Sequence, residues 1–470
     1  MKSAKKAHII GVAGVAMSAT AKLLQDANWQ VSGSDDDFYP PASGYVEKLG
    51  ITFRQGYKPG NIPDDVDMVV IGRNAKLTPE TNDEVARAHE MGVEIKSFPE
   101  VVAGLMADQH RIVVAGSYGK STVTSLTAWT LVHADKHPSY FIGAYPLDMG
   151  YTSHKDSGDV AVIEGDEYPT AHWDDRSKFL HFNADDVLLT AVEHDHVNVF
   201  PTYKDYVQPF IELLKNIPGH GLLVACVDNH GVNDVLKYAP QYITYGLSED
   251  ALWRAENIEY GETTSFDLTH DGEVVARLET KLLGTHNVQN IVGVAALLLT
   301  RELVTPEELA SAISEFSGVR RRLNKITTTS HVPAYEGFGS SYEKARAAIE
   351  AIKLHYPNKK IVALFEPHTF SWRNRDALEW YDTVFEGVAE VLVFEPATQG
   401  AGTHKQLSQK EIVDRVQNSG VPAQPVHDEA TTHRALEESL NNDSVLLVLT
   451  SGNFHGVLDT LPQWLDETFQ

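Results

Sequence analysis

The run Val113-Val114-Ala115-Gly116-Ser117-Tyr118-Gly119-Lys120-Ser121-Thr122 gathers residue types that hold a chain of phosphates. Glycines let backbone N–H groups converge on phosphate oxygens, Lys120 can bridge the terminal phosphates, and the Ser121 hydroxyl can ligate Mg²⁺. Only Ser117 and Tyr118 separate Gly116 from Gly119, so the loop is shorter than the common Gly-x-x-x-x-Gly-Lys-[Ser/Thr] form. A plain glycine turn capping a helix is the alternative. Further on, Glu164 ends an apolar run and is followed by Gly165-Asp166-Glu167, while His194-Asp195-His196 follows the run Val187 to Val192. Carboxylates and imidazoles at the carboxyl ends of parallel strands stand where such sheets bind ligands, and these could complete a metal site.

Positioning these groups requires strands that end together. Short β-branched runs alternate with helical patterns at His8 to Val12, Met68 to Gly72, Arg111 to Ala115, Val160 to Glu164, Val187 to Thr190, Ile361 to Phe365 and Val445 to Thr450. That alternation predicts parallel sheets flanked by helices, an α/β protein. Trp253 to Leu278 differs, since Gly261 and Asp271-Gly272 split it into short strands, which predicts an antiparallel patch. Near the N-terminus, Gly11-Val12-Ala13-Gly14-Val15-Ala16-Met17-Ser18 follows a strand and opens a helix, with Asp35 placed as a ribose-binding acid would be. An ordinary tight turn explains the same glycines.

The chain has 470 residues, room for about three domains. Its formal net charge of −26 argues against nucleic acid or an anionic membrane as partner, so any phosphate must be held by local groups. Cys226, the only cysteine, lies in the apolar run Leu222 to Val227 and is read as a small core residue; an intrachain disulfide is impossible. Lys2, Lys5 and Lys6 ahead of Ile9 to Ala21 imitate a signal peptide, but Gly11 and Gly14 interrupt the run and a strand pattern follows it. No segment is long and apolar enough to span a bilayer.

Five ordered segments resemble the muramyl ligases, ATP-dependent amide ligases of peptidoglycan metabolism. Gly116 to Thr122 is similar to their Gly-Thr-x-Gly-Lys-Thr-Thr, Glu164 to Glu167 to Glu-Ala-Asp-Glu, and Glu193 to His196 to Glu-x-Asp-His. Gly284-Thr285-His286-Asn287-Val288-Gln289-Asn290 is similar to Gly-x-His-Asn-x-x-Asn, and Phe316 to Leu323 to Phe-x-Gly-x-x-Arg-Arg-Leu. The resemblance implies three domains: a Rossmann-like UDP-sugar domain over 1–107, a central P-loop ATPase-like domain over 108–323, and a Rossmann-like closing domain over 324–470.

It further implies that Gly116, Ser117, Tyr118, Gly119, Lys120, Ser121 and Thr122 hold ATP, that Asn287 and Asn290 face adenine, and that Ser121, Glu164 and His196 bind Mg²⁺. His196 is the least typical ligand for so hard a cation. Arg321 or Arg322 would neutralise charge as the γ-phosphoryl group moves. Lys120, Glu164, His196 and Arg322 thus become the catalytic candidates. Gly11, Gly14, Ser18, Asp35 and the Arg73-Asn74-Ala75 segment would surround the uridine diphosphate, Arg176 and Ser177 are further substrate-binding candidates, and His368 and Arg373 either meet the incoming amino acid or peptide or belong to a packed loop. The implied reaction activates the carboxylate of UDP-N-acetylmuramate as an acyl phosphate, which an amino acid or peptide amine then attacks. The implied enzyme is a cytoplasmic monomer or weak homodimer.

Pro146 to Gly150, Asp166 to Ala171 and Arg176 to Phe179 resemble the branch that takes a tripeptide more than the branch that takes L-alanine. The pattern also breaks. Where the family has Tyr-Asp-Asp-Phe-Ala-His-His-Pro, this chain has Tyr335-Glu336-Gly337-Phe338-Gly339-Ser340-Ser341-Tyr342, and Ala191 replaces an asparagine ahead of Glu193. Glu336 or Lys344 is a candidate substitute for the missing acid, and a nucleotide-binding homologue acting as sensor or partner is the competing expectation. A hydrolase or kinase on the same loop would leave the Asn287 to Asn290 and arginine segments unexplained.

Overall fold

The computed structural model describes residues 4–36, 42–74, 76–196, 199–397 and 406–470. Lys2 and Ala75 lie outside these. The chain divides into two compact units, the first formed by Met1–Asn257, Phe266–Leu278 and Gln289–Phe316, the second by Ile258–Ser265, Glu279–Val288 and Ser317–Gln470.

Strands β1 (Lys6–Ile10), β2 (Gln30–Asp35), β3 (Thr52–Gln55), β4 (Met68–Ile71) and β5 (Glu94–Lys96) form a five-stranded sheet of order β3-β2-β1-β4-β5. All its pairings are parallel, as the β-branched runs joined through helices predict. The order reverses between β2 and β4 on either side of β1, and the loop carrying Gly11 and Gly14 leaves β1 at that point.

A ten-stranded sheet follows. Its members are β6 (His110–Ala115), β7 (Ser139–Phe141), β8 (Ser153–His154), β9 (Val160–Gly165), β12 (Asp186–Leu189), β13 (Leu223–Cys226), β14 (Tyr242–Gly246), β15 (Trp253–Tyr260), β16 (Thr264–His270) and β17 (Glu273–Thr280). Between them, β10 (Pro169–Ala171) and β11 (Asp174–Ser177) make a separate antiparallel hairpin. At the centre β6 pairs in parallel with both β9 and β12, which brings the ends of three strands carrying candidate groups side by side. β15, β16 and β17 are consecutive neighbours joined by two or three residues, connections that permit only antiparallel pairing. The expected antiparallel patch is therefore present.

In the second unit β18 (Arg322–Lys325), β19 (Ala334–Gly337), β20 (Lys360–Phe365), β21 (Glu390–Val393), β22 (Ala423–Pro425) and β23 (Ser444–Leu449) form a six-stranded sheet, order β18-β19-β23-β20-β21-β22. Only the β18–β19 pairing is antiparallel. Its central strands β20 and β23 carry runs of five consecutive apolar residues, as burial on both faces demands.

Asp186, at the head of β12, is fully buried and ties the ten-stranded sheet to the helix Thr285–Thr300 and its following turn. It accepts 2.8 Å hydrogen bonds from His110 Nε2, Arg301 Nε and Leu222 N. Burial alone would raise its pKa, but the His110 and Arg301 hydrogen bonds outweigh burial and hold the carboxyl below its ordinary value. A carboxyl depressed in the folded state stabilises above its unfolded pKa, about 3.9, and loses that contribution as pH falls through the folded value. Arg301→Ala is expected to cost about 2 kcal/mol in urea unfolding at neutral pH, and to move acid unfolding to higher pH. Unchanged unfolding on both axes would show that the pair carries no stability.

Candidate nucleotide and amide-transfer site

The phosphate loop is pressed against the strand beside it. A Cβ on Gly116 would lie 2.2 Å from Thr190 Oγ1 and 2.8 Å from Ala191 N, and the residue has φ +141°. Gly119 has φ +83°, and a Cβ there would meet Asn290 Oδ1 at 2.9 Å. Only glycine fits both places. The loop is sewn to the end of β12 by Ser117 N donating to Ala191 O (3.0 Å), by Ser117 Oγ donating to Glu193 O (2.9 Å), and by Tyr118 Oη donating to Glu193 Oε1 (2.6 Å). Asn229 Nδ2 donates to the same carboxylate oxygen at 2.9 Å. The helix Lys120–His133 then starts with Gly119 as its N-cap and without a side-chain cap, so its first-turn N–H groups keep their capacity for an anion. Thr122 is buried in that first turn.

Ser121 Oγ donates to Glu164 Oε1 at 2.8 Å, and Gly143 N donates to Glu164 Oε2 at 2.7 Å. Desolvation raises the Glu164 pKa against the opposing pull of the Gly143 N–H, Ser121 and Lys120. Lys120 Nζ donates to Gly116 O at 2.5 Å and to Glu167 Oε2 at 2.8 Å. Burial disfavours its charge, yet Glu167, Asp166 and Glu164 outweigh burial and hold the ammonium above its ordinary pKa. His196 sits with Glu167 (Nε2 to Oε1, 3.5 Å) and lies edge-on to the Tyr168 ring at 5.2 Å.

Among the described residues no three His, Cys, Asp or Glu side chains form a metal cage. Mg²⁺ commonly takes one or two carboxylates and draws its other oxygens from phosphate and water, so the Ser121–Glu164 oxygen pair beside a phosphate loop fits that cation. His196 is placed by the structure at Glu167.

In the five-stranded region, Gly11 has φ +88°, and Gly14 is the N-cap of the helix Val15–Asp26. The Ser18 hydroxyl is buried and donates to Val15 O. Asp35 braces the glycine loop, accepting from Ala13 N at 2.9 Å and from Tyr57 Oη at 2.8 Å. Arg73 and Asn74 meet the β10–β11 hairpin: Arg73 Nη1 donates to Ala171 O (3.3 Å), Arg73 stacks over Tyr168 (5.6 Å), and His172 Nε2 donates to Asn74 O (2.6 Å). Arg176 forks onto Asp174, and the buried Ser177 hydroxyl is spent on Glu167 O.

The second unit collects its own polar groups at the carboxyl ends of β19, β20 and β23. Arg321, at φ +65°, binds Glu336 Oε1 (3.2 Å), Ser451 O (3.1 Å) and Gly452 O (2.6 Å). Arg322 is exposed and stacks over Phe338 at 5.4 Å. His368 Nδ1 lies 3.2 Å from Ser451 Oγ, and burial pushes its pKa down. Arg373 is buried, with Nε donating to Thr369 O at 3.3 Å. Asn287 Nδ2 donates to Leu283 O at 2.8 Å.

Glu167, Tyr206, Thr190, Glu193 and Asn229 hold the loop or its lysine; the sequence marks Glu167 and Glu193 only as members of acidic motifs, and Tyr206, Thr190 and Asn229 not at all. Glu167 stood in the quoted motif, and its spacing of three from Glu164 across the end of β9 was the available signal. Tyr206, inside the amphipathic helix Tyr203–Lys215, offered none.

A glycine-gated phosphate loop, a hydroxyl–carboxylate pair and a retained lysine at adjoining strand ends define a nucleotide-using α/β enzyme. The chain matches two family models, the Mur ligase family catalytic domain over residues 6–110 and the Mur ligase middle domain over residues 114–298. It is 27% identical over 465 residues to the UDP-N-acetylmuramate–L-alanine ligase of Sorangium cellulosum (strain So ce56), covering 98% of this chain and 96% of that one. It is 30% identical to the structure of the UDP-N-acetylmuramate:L-alanyl-gamma-D-glutamyl-meso-diaminopimelate ligase from Neisseria meningitides, covering 68% of this chain and 100% of that one with a TM-score of 0.61. The fold also matches the UDP-N-acetylmuramate-alanine ligase of Thermotoga maritima, with a TM-score of 0.80, 21% identity and coverage of 98% and 99% of the two chains. The chain belongs to the Mur ligase family and is an ATP-dependent amide ligase of peptidoglycan synthesis.

Two substitutions test the site. Gly116→Ala is expected to preserve the far-UV circular dichroism spectrum while weakening ATP binding more than about tenfold, about 1.4 kcal/mol, because the methyl group must displace Thr190 or Ala191. Glu164→Ala is expected to raise the Mg²⁺ concentration for half-maximal activity by about tenfold or more; an unchanged metal titration would remove Glu164 from the cation site.

Proposed function

We propose that the enzyme joins an amine to the lactyl carboxylate of UDP-N-acetylmuramate, with L-alanine as the acceptor. The observation that carries this is the likeness to L-alanine ligases along nearly the whole chain, in sequence and in fold, together with a phosphate loop whose lysine, hydroxyl and carboxylate stand at adjoining strand ends. A tripeptide acceptor is the second reading, favoured by the 30% identity to the Neisseria ligase and by the segments 146–150 and 166–179. The lean towards the tripeptide branch taken from those segments alone therefore yields first place. The proposed domain roles are uridine diphosphate binding over 1–107, ATP binding over 108–323, and amine binding with closure over 324–470.

In this reading the loop amides and Lys120 bind the β- and γ-phosphates, and the helix Lys120–His133 adds the partial positive charge of its amino end. Ser121 and Glu164 would hold Mg²⁺, which when bound supplies neutralisation of phosphate oxygen charge. The protein has little covalent work to do: it fixes the carboxylate in line with the γ-phosphorus and supplies charge to oxygens already in place. Asp35 and Arg73 shape the uridine diphosphate wall through the backbone they brace. The proposed role of Arg321 or Arg322 in neutralising phosphoryl charge falls to the second unit, where the Arg321 donors are engaged by Glu336 Oε1, Ser451 O and Gly452 O and would have to be released for it.

The decisive assay incubates the protein with UDP-N-acetylmuramate, ATP and Mg²⁺, with L-alanine and the tripeptide in separate tubes, and detects product by mass. Product with L-alanine alone supports the first reading and product with the tripeptide alone the second. Lys120→Ala is expected to lower kcat at least about a hundredfold, the scale of one lost oxyanion contact, without loss of fold. Wild-type turnover in that variant would remove the loop from the chemistry.

A further inference from the structure

Glu167 has no accessible surface, yet it carries a carboxylate that the phosphate-binding scheme does not use. One oxygen receives Lys120 Nζ at 2.8 Å; the other has Tyr206 Oη at 3.2 Å and His196 Nε2 at 3.5 Å. Its main chain is pinned as well, because the Ser177 hydroxyl donates to the Glu167 carbonyl. The same ammonium donates to Gly116 O at 2.5 Å, the first carbonyl of the loop. Lys120 is thus tied at both the root of the loop and a buried acid. Ion pairs in such surroundings add little net stability, since desolvation consumes most of the Coulomb gain. Their effect on a ligand that needs the same cation is larger, because a phosphate must compete for donors already in use.

We infer that Glu167 is a positioning residue that competes with the nucleotide phosphates for Lys120, retaining the ammonium when the loop is empty, yielding it to the triphosphate, and reclaiming it as the product nucleotide leaves. The inference rests on the reading of Lys120 as the phosphate-binding lysine. The exchange moves one hydrogen-bonded cation between two anions and makes or breaks no covalent bond. Tyr206 and His196 remain beside the carboxylate when the lysine departs, so Glu167 keeps hydrogen-bonding partners in both states. Tyr206 Oη also lies 2.9 Å from Ser117 Oγ, which couples the acid to the wall of the loop.

The sign of the effect separates this role from a structural one. Loss of a merely structural acid loosens the loop and weakens every nucleotide; loss of a competitor tightens nucleotide binding. Glu167→Gln in the full-length protein is expected to lower the Kd for ADP with Mg²⁺, read by isothermal titration calorimetry, by at least about fivefold, a modest share of the Coulomb energy of one charge at this range. KM for ATP and kcat are expected to fall together, as product release slows. Glu167→Asp, which draws the carboxylate back by about one C–C bond, 1.5 Å, is expected to tighten ADP by a smaller factor, and it carries the test if the glutamine variant does not fold. In a Lys120→Ala background the gain is expected to vanish. Unchanged or weaker ADP binding by the folded variants, or an equal gain without Lys120, would overturn the inference. Wild-type protein that binds no adenine nucleotide would overturn the phosphate-loop reading as well, whereas ADP binding without amide product would leave the inference standing and remove only the ligase assignment.

Discussion

Contact between the phosphate loop and the neighbouring strand end is the constraint from which the site follows. The Gly116 backbone lies so close to Thr190 and Ala191 that no side chain fits between them. That proximity fixes where the helix Lys120–His133 begins, and so where Lys120 and Ser121 project. β9 pairs with β6, the strand that leads into the loop, on the side away from β12, which brings Glu164 to Ser121 and Glu167 to Lys120. In a chain of net charge −26, such a site cannot rely on a broad positive field. It gathers one lysine, oriented amides and a helix amino end within a few ångströms, a range at which screening matters little.

The second unit shows how a family pattern can be broken without leaving a hole. Glu336 lies buried on β19 and neutralises Arg321, whose other donors reach the carbonyls of Ser451 and Gly452. A methyl group at Gly337 would stand 3.3 Å from Leu449 Cδ2, so a side chain there would ask that leucine to give by a few tenths of an ångström. Ser341, where the family has histidine, caps the helix Tyr342–His355 by accepting from Lys344 N. Of the two substitutes the sequence offers for the absent acid, Glu336 and Lys344, it is Glu336 that holds the arginine.

Much of the fold was legible because parallel strands buried on both faces read as unbroken apolar runs, and the hairpins of Trp253 to Thr280 are marked by Gly261 and Asp271-Gly272. The phosphate loop was legible for a similar reason: glycine spacing and the Lys-Ser-Thr that follows are dictated by local backbone geometry. Partnerships across the sheet were not. Nothing in the run of residues says that Glu167, rather than Asp166, meets Lys120, since that depends on how the chain turns after β9. Nor does it say that His196 lies against Glu167 and Tyr168, that Asp35 is occupied by Ala13 N and Tyr57, or that the Ser18 and Ser177 hydroxyls are consumed by carbonyls. Those facts belong to contacts between residues distant in sequence, where residue type limits what can happen and tertiary packing decides it.

Carboxylate activation by phosphoryl transfer at this loop is tested most directly by following oxygen. UDP-N-acetylmuramate labelled with ¹⁸O in its lactyl carboxylate is turned over with ATP and the accepted amine, and the released phosphate is analysed by mass. One labelled oxygen is expected in each phosphate, carried there from the carboxylate. Amide product accompanied by unlabelled phosphate would contradict it.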